Sequence, residues 1–266
     1  MINRTIVTTA GRPDEGMVAC AEQTALDLDI PYVPRRKRSV SSFFPAYDAV
    51  LVRSKEKIQL YHQHSPEPFF FHPNLAMVRI KRIMAGEQDP FIEAAQLKQG
   101  DSILDCTLGF ASDSIVSSYV VGESGRVIGL ESSKCIAYIT GFGLKRWNDS
   151  PEAVSNAMKR IEVVHQTYYE YLRDLPENAV DVVYFDPMFD SSIEESNSIQ
   201  AMAPFACKEG LPQQSIEEAK RVARKRVILK DHFRSTRFLE LGFTQQVRKT
   251  SKFHYGIIDL QNSSHK

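Results

Sequence analysis

Short apolar runs alternate with amphipathic segments over residues 102–230, and this alternation constrains the fold more than any other feature of the chain. An alternation of strands and helices is typical of a parallel sheet with helices on both faces. The sequence therefore predicts an α/β fold with a Rossmann-like sheet. The predicted strands are 102–105, 126–130, 161–165, 180–185 and 226–230, and the predicted helices are 112–120, 133–146, 151–160 and 213–224.

The last part of the chain breaks this alternation. Thr244 to Lys249 and Phe253 to Leu260 both have the composition of strands, and only Thr250-Ser251-Lys252 separates them. Strands joined by so short a connection pair antiparallel. The sequence therefore predicts a C-terminal antiparallel hairpin added to the parallel sheet.

The first seventy or so residues follow another pattern. Residues 5–8 are predicted as a strand and 15–28 as an amphipathic helix, and residues 49–61 are predicted as a hairpin around Ser54-Lys55-Glu56. We predict a small α+β lobe over residues 1–72, a candidate region for substrate recognition, and an α/β domain over residues 73–266.

The tetrapeptide Asp186-Pro187-Met188-Phe189 directly follows the predicted buried strand 180–185. Ligands of open α/β sheets bind at the carboxyl ends of strands. There, the carboxylate of Asp186 can accept one N–H of an exocyclic amine, and the carbonyl before the rigid Pro187 can accept the other. Phe189 can stack on the nucleobase that carries this amine. An Asp-Pro pair also opens ordinary turns, so the tetrapeptide by itself does not decide the function.

A second set of residues lies upstream. The strand 102–105 ends in Asp105, and a turn of small residues containing Gly109 leads from it into a helix. Glycine lets the backbone approach a ligand closely, and the start of a helix offers free N–H donors. The next strand ends in Glu131, where Rossmann-type folds hold ribose hydroxyls. The sequence therefore predicts a nucleotide-like cofactor at these strand ends.

Together, these motifs resemble the class I S-adenosylmethionine-dependent methyltransferases, in which a terminal antiparallel hairpin is expected. Within that superfamily the chain most resembles the RsmJ-type enzymes, which methylate the N2 amine of a guanosine in bacterial 16S ribosomal RNA. The resemblance covers roughly residues 70 to 260, and Ala111 and Ser112 depart from the Gly and Arg of the family's usual turn. The resemblance rests on residues 105–113, 130–131, 164–167, 183–189 and 225–230.

The resemblance implies S-adenosylmethionine as the cofactor and no metal. It implies that Glu131 accepts hydrogen bonds from the ribose, that the Gly109 turn passes beneath the methionine part, and that His165 to Tyr168 lie beside the adenine. Asp186, Pro187 and Phe189 are the implied catalytic residues. The implied cofactor-binding residues are Asp105, Gly109, Ser112, Asp113, Glu131, Ser132, Thr167, Tyr168 and Asp186.

Lysine plus arginine equals aspartate plus glutamate, so a nucleic-acid partner would have to be held by local patches. The run Arg35-Arg36-Lys37-Arg38 and Lys230 are candidates for contact with RNA, although exposed basic residues are often merely solvated. Arg79 could also touch phosphate or lie on an exposed helix face. The run Phe69-Phe70-Phe71 could stack on unpaired bases but is more typical of a core.

The sequence thus predicts transfer of a methyl group to a nucleobase amine. The favoured target is guanine N2 in small-subunit ribosomal RNA, and the partner is this RNA or the small-subunit particle. A DNA or small-molecule amine methyltransferase and a non-catalytic RNA-binding protein remain alternatives. A nicotinamide-dependent oxidoreductase is disfavoured, because the turn lacks a full G-x-G-x-x-G. Dispersed cysteines and the absence of a signal-peptide or membrane-span pattern lead us to expect a cytoplasmic protein without a membrane partner.

Overall fold

The computed structural model describes residues 4–65, 67–188, 197–205 and 210–261. Its strands form two sheets, and its helices pack on them. In chain order they are β1 Thr5–Thr9, α1 Glu15–Leu28, β2 Ala49–Arg53, β3 Ile58–His62, α2 Asn74–Met84, α3 Pro90–Ala95, β4 Ser102–Asp105, α4 Ser112–Val121, β5 Arg126–Glu131, α5 Lys134–Arg146, α6 Glu152–Lys159, β6 Glu162–His165, α7 Tyr168–Asp174, β7 Val180–Phe185, α8 Asn197–Met202, α9 Gln213–Val222, β8 Ala223–His232, α10 Arg237–Glu240, β9 Thr244–Gln246 and β10 Phe253–Asp259.

The larger sheet has the strand order β6-β5-β4-β7-β8-β10-β9. The first five strands of that order are parallel, and β10 runs antiparallel to both β8 and β9. All six residues of β7 are buried, as expected for a strand covered on both faces. The predicted α/β sheet with a C-terminal antiparallel hairpin is confirmed.

The order of the strands reverses between β4 and β7. From β4 the chain moves outward to β5 and β6, and it then returns to the other side of β4 to form β7 and β8. The connections that leave β4 and β7 therefore diverge and open a crevice at the carboxyl end of the sheet, where open α/β folds bind their ligands. Asp105 ends β4, and Asp186 directly follows β7.

The smaller sheet has the order β1-β2-β3, with β1 parallel and β3 antiparallel to β2. The predicted hairpin is therefore present. The two faces of this sheet are packed differently. Ala49 and Leu51 of β2 face the main core, whereas Val50 and Val52 face a separate cluster with Ile6 and Phe43.

The main core is continuous between the lobe and the α/β domain. It contains Leu60 and Phe71 from the lobe side together with Ile80 and Ile139 from the domain side. Polar contacts add to this packing, since Lys134 Nζ donates to the carbonyl of Leu28 at 2.7 Å. The boundary at residues 72 and 73 stays a prediction.

Some elements escaped the sequence analysis. Helix α3 is short, and it begins because the side chain of Asp89 accepts hydrogen bonds from the two backbone N–H groups at positions 91 and 92. Helix α7 is capped in the same way by Thr167. Strand β8 is longer than predicted and begins directly after α9. Within the described ranges, none of the helices has the length and apolar character needed to cross a bilayer.

Candidate active site

A cavity of about 610 Å³ opens at the carboxyl ends of β4, β5 and β7. Its volume falls in the range of small-molecule sites, roughly 300–1,000 Å³. The predicted site residues on its wall are Gly109, Glu131, Ser132, Thr167, Tyr168, Asp186 and Pro187. The structure thus brings together residues from four separate loops of the sheet.

The turn after β4 passes along one wall of this cavity. Gly109 has a φ of +48°, in the left-handed region that favours glycine. Its carbonyl accepts a hydrogen bond from the hydroxyl of Thr140 at 2.8 Å. A Cβ on Gly109 would lie 3.3 Å from Sδ of Met202, which lines the cavity on the opposite side of the turn. The turn and Met202 therefore lie close together at this part of the cavity wall, and a side chain at position 109 would crowd Met202.

Glu131 holds the shape of this turn. Its Oε2 accepts the backbone N–H of Gly109 at 3.1 Å, and its Oε1 accepts that of Ser133 at 2.9 Å. The residue is 8% exposed, and burial raises the pKa of its carboxyl group. Each oxygen has a second lone pair, so the carboxylate can still accept hydroxyl groups from the cavity.

The start of α7 forms another wall of the cavity. The hydroxyl of Thr167 donates to Glu170 at 2.9 Å, which fixes the end of the loop after β6. Tyr168 packs edge-on against Phe185 with ring centroids 5.5 Å apart, and its hydroxyl donates to the carbonyl of Gly210 at 3.3 Å. The ring of Tyr168 therefore forms a rigid part of the wall.

Asp186 lies on the wall between the β4 and β7 ends. Its backbone N–H donates to the hydroxyl of Thr107 at 2.7 Å, and its Oδ2 accepts Nζ of Lys230 at 2.6 Å. Among the described residues, neither Oδ1 nor the backbone carbonyl of Asp186 receives a hydrogen bond. Pro187 follows and lines the cavity. Phe189, the third predicted catalytic residue, lies outside the described residues.

Lys230 is part of a buried ionic network rather than of an open surface. Its Nζ also lies 3.6 Å from Oδ2 of Asp113. That carboxylate accepts Nη1 of Arg79 at 2.5 Å and the hydroxyl of Tyr184 at 2.9 Å. Arg79 in turn makes two hydrogen bonds to Asp89, at 2.8 and 2.9 Å. Charges of opposite sign therefore alternate from α3 to the carboxylate of Asp186.

This network sets the ionisation of its members. Burial raises the pKa of Asp186, although the nearby ammonium of Lys230 opposes that effect. Burial alone would lower the pKa of Lys230, but the carboxylates of Asp186 and Asp113 outweigh it, and the pKa is raised. Burial would likewise raise the pKa of Asp113, yet Lys230 and Arg79 outweigh it and lower that pKa. The ammonium of Lys230 is therefore kept charged beside Asp186.

Three predicted cofactor residues lie outside the cavity wall. Asp113 is engaged by the network, and Ser112 begins α4 behind the turn. Asp105 is buried, and it accepts the N–H of Thr107 at 3.0 Å and the hydroxyl of Ser114 at 2.6 Å. Burial raises the pKa of Asp105 to about 7. Their structural contacts support the turn, and their predicted role in cofactor binding stays untested.

The basic run is partly folded back on the lobe. Arg35 donates to the carbonyl of Thr9 at 3.1 Å, and Arg38 donates to that of Pro34 at 3.1 Å. Arg36 and Lys37 are exposed, with positive φ values of +46° and +63°. Arg38 is exposed as well and Arg35 is half-buried, so three side chains of this run are exposed to solvent.

The run contacts the lobe sheet on the side of the last part of α5, and none of its four residues lines the cavity. Thr9 pairs with Arg53 in the lobe sheet, and the guanidinium of Arg53 lies 4.3 Å from the ring centre of Phe142. Phe142 belongs to the last part of α5, whereas Ile136 at the start of α5 lines the cavity. Contact of this run with RNA stays a prediction, for a surface outside the cavity wall.

Several residues of the cavity wall were not predicted as site residues from the sequence. Thr107 lies within the predicted turn, and its contact with the backbone of Asp186 depends on β4 and β7 being neighbours. Met202 carries no recognisable signal in the sequence. Arg79, expected on an exposed face or at phosphate, is instead largely buried between two carboxylates.

With this geometry in view, comparisons with known proteins identify relatives. The family described as "putative SAM-dependent methyltransferase" matches residues 39–257, so the basic run lies outside the match. The uncharacterized protein YpiP of Bacillus subtilis (strain 168) is 43% identical over 254 residues, which cover 95% of this chain and 98% of that protein. Both matches include the whole cavity.

More distantly similar proteins are also methyltransferases. Ribosomal RNA small subunit methyltransferase J of Acinetobacter baumannii (strain AYE) is 29% identical over 167 residues, 57% of this chain and 58% of that protein. The chain thus spans little more than half the length of that relative. The crystal structure of a SAM-dependent methyltransferase from Neisseria gonorrhoeae has a TM-score of 0.64 and 17% identity, covering 98% of this chain and 100% of that one. That structure shares the fold.

Proposed function

Because the chain belongs to this family of SAM-dependent methyltransferases, with S-adenosylmethionine as its cofactor, we propose that it methylates an exocyclic amine of a nucleobase. Guanine N2 in small-subunit ribosomal RNA is the proposed target. The likeness to ribosomal RNA small subunit methyltransferases J supports this choice, although it covers about half of the chain.

The cavity fits the cofactor in shape and in chemistry. Gly109 contributes a part of the cavity wall without a side chain, and Glu131 offers acceptors for ribose hydroxyls at the next strand end. Ser132, Thr167 and Tyr168 form the wall on the far side of Glu131. We propose that these residues hold the cofactor, which supplies an electrophilic methyl group on its sulfonium.

The observation that carries the proposal is a pair of acceptors on Asp186, Oδ1 and the backbone carbonyl, that receive no hydrogen bond within the described ranges. Asp186 lies on the cavity wall, and Thr107 and Lys230 hold its backbone N–H and its Oδ2. One amine N–H can donate to each acceptor. Both hydrogen bonds draw the nitrogen lone pair out of conjugation with the base and direct it into the cavity.

Lys230 and Asp186 then have distinct roles. The ammonium of Lys230 occupies Oδ2 and favours the ionised carboxylate, so Oδ1 remains an acceptor. If the amine nitrogen bonds to the methyl carbon, the carbon–sulfur bond of the sulfonium would break, a neutral thioether would leave, and the nitrogen must lose a proton. The carboxylate of Asp186 is the acceptor within hydrogen-bond reach, and its raised pKa suits that task. Positioning and polarisation therefore supply the rate.

The test is transfer of an isotopically labelled methyl group by the purified protein. Small-subunit RNA, assembled small-subunit particles, duplex DNA and free guanosine are offered in parallel, and the digested nucleosides are separated by mass spectrometry. We expect label in N2-methylguanosine from RNA or particles. Label confined to DNA or to the free nucleoside would contradict the RNA target, and cofactor binding without any transfer would favour the non-catalytic alternative.

A further inference from the structure

A second cavity, of about 510 Å³, lies between the lobe and the last part of α5. Buried apolar side chains of Ile58, Phe71 and Ile139 form its floor. Half-buried Phe70 and Trp147 form part of its walls. An apolar floor with flat aromatic walls suits a planar ring system, since nucleobases stack on aromatic side chains.

The rim of this cavity carries cations without acidic partners. Nζ of Lys57 lies 3.6 Å from the ring centre of Phe70, and the guanidinium of Arg146 lies 5.7 Å from that of Phe142. Within the described part of the chain, neither Lys57 nor Arg146 forms an ion pair with a carboxylate. A third rim cation, Lys55, is paired with Asp14 at 2.6 Å. The unpaired cations are suited to contact phosphate.

A fourth cation lies behind the wall. Arg53 is 6% exposed, and its guanidinium lies 4.3 Å from the ring centre of Phe142. It donates to the backbone carbonyls of Ser54 at 2.5 Å and Lys55 at 3.3 Å, and its buried Nε has no hydrogen-bond partner in the described residues. A buried charge without a counter-charge is costly. An anion bound at the rim would offset that cost.

The two cavities are connected by one helix. Ile136, near the start of α5, lines the first cavity, and Arg146, its last residue, lines the second. Ten residues of α-helix span about 15 Å. A ligand made of several linked nucleotides could therefore occupy both cavities.

From these observations we propose that the second cavity binds an unpaired nucleotide of the RNA substrate, at a position away from the target base. The base stacks on Trp147, and the phosphate lies against Lys57 and Arg146. Glu56 and Asp149, the acids at the rim, can accept N–H groups from the base edge. This inference rests on the proposed function, which it extends from the target base to its flank.

Trp147 provides a direct readout, because it is the single tryptophan of the chain. We expect a short single-stranded RNA oligonucleotide to quench its fluorescence saturably, and inorganic phosphate to have no effect. Lys57→Gln and Arg146→Gln should each weaken this binding severalfold and reduce its salt dependence by about one unit of slope. Lys159→Gln, an exposed charge loss on α6 outside both cavities, is the matched control and should bind as the parent protein does.

The outcomes separate this site from the methyl-transfer chemistry. In methylation of RNA, Lys57→Gln and Arg146→Gln should raise KM and leave kcat and S-adenosylmethionine affinity unchanged. If the protein methylates nothing but the quench persists and depends on Lys57 and Arg146, the nucleotide site holds and the proposed function fails. Equal affinity for a mononucleotide and the oligonucleotide would overturn the assignment to an RNA flank. Absence of quenching, or quenching unaltered by both variants, would overturn the site itself.

Discussion

Nζ of Lys230 lies 2.6 Å from Oδ2 of Asp186, which lines the cavity, and Oδ1 of that carboxylate receives no hydrogen bond from the described residues. The same ammonium lies 3.6 Å from Asp113 on α4. The orientation of Asp186 is therefore set by β8 and α4 as well as by its own strand. A lysine first considered as an RNA contact is, in the structure, a partner of the proposed catalytic carboxylate.

Replacement of this lysine should alter the pH dependence of methyl transfer. Burial raises the pKa of Asp186 and Lys230 opposes the increase, so Lys230→Gln should raise that pKa further. Because the proposed mechanism needs the ionised carboxylate, activity should be lost at a higher pH as the solution is acidified. Lys230→Arg keeps the charge and should restore most of the parent profile. Rates measured across pH at saturating cofactor test this, and identical acid limbs for all three proteins would contradict it.

Asp186→Asn should reduce the rate of methyl transfer by about 10²-fold or more, as when a preorganised polar contact is lost. The amide keeps the size of the side chain but can present an N–H where the amine needs an acceptor. Single-turnover assays measure the effect without interference from product release. Asp174→Asn removes an exposed carboxylate from the end of α7 and is the control. A rate for Asp186→Asn within twofold of that control would remove the residue from the mechanism.

Glu131→Ala should weaken S-adenosylmethionine binding by roughly ten- to hundredfold, since ribose hydroxyls would lose their acceptor. The backbone N–H groups of Gly109 and Ser133 would lose theirs too, so the turn should loosen. Isothermal titration calorimetry gives the affinity directly. Glu177→Ala, an exposed carboxylate in the loop before β7, is the control. Equal affinities for the two variants would show that Glu131 does not contact the cofactor.

Two glycines of α5 provide a matched test of how the lobe is attached. A Cβ on Gly143 would lie 2.2 Å from ring atoms of Phe71, so Gly143→Ala should destabilise the protein by about 1–3 kcal/mol. A Cβ on Gly141 would meet Val163 at an ordinary 3.7 Å, and Gly141→Ala should stabilise the helix by up to about 1 kcal/mol. Chemical denaturation of both variants gives the comparison. A loss of stability in Gly141→Ala as large as that in Gly143→Ala would contradict the tight contact with Phe71.

Asp105→Asn should change how stability depends on pH. The pKa of Asp105 is raised to about 7 by burial, whereas an unfolded aspartate titrates near 3.9. Between about pH 4 and 7 the unfolded chain has released this proton and the folded chain has not, so this residue makes stability fall as pH rises. The asparagine variant should lack that contribution. Its stability relative to the parent should rise over this window by a few kcal/mol. Unfolding free energies that run parallel from pH 4 to 8 would contradict the raised pKa.

The larger sheet could be predicted from the sequence because each of its strands and turns has a local sequence pattern. The apolar runs and the Gly109 turn are each confined to a few neighbouring residues, and the hairpin from Thr244 to Leu260 could be predicted from strand composition and a short connection. The convergence of Glu131 and Asp186 on one cavity also followed, since parallel strands end at the same edge.

The buried network could not be predicted in the same way. Arg79, Asp113 and Lys230 are far apart in the chain and resemble surface residues until the strand order and the packing of α2 bring them together. Likewise, Arg35 folds back because the end of β1 offers it a carbonyl acceptor. Such pairings depend on distances between elements, which neither composition nor periodicity contains.

The two faces of the lobe sheet are free to change in sequence to different degrees. Leu51 packs into the core that extends to the methyltransferase domain, whereas Val50 and Val52 pack with Ile6 and Phe43 on the outer side. Substitutions among these outer residues that together keep the volume of their cluster would leave the inner packing in place. Descendants of this chain could therefore acquire a new outer surface, and with it new binding partners, while the inherited methyl-transfer machinery stays under separate selection.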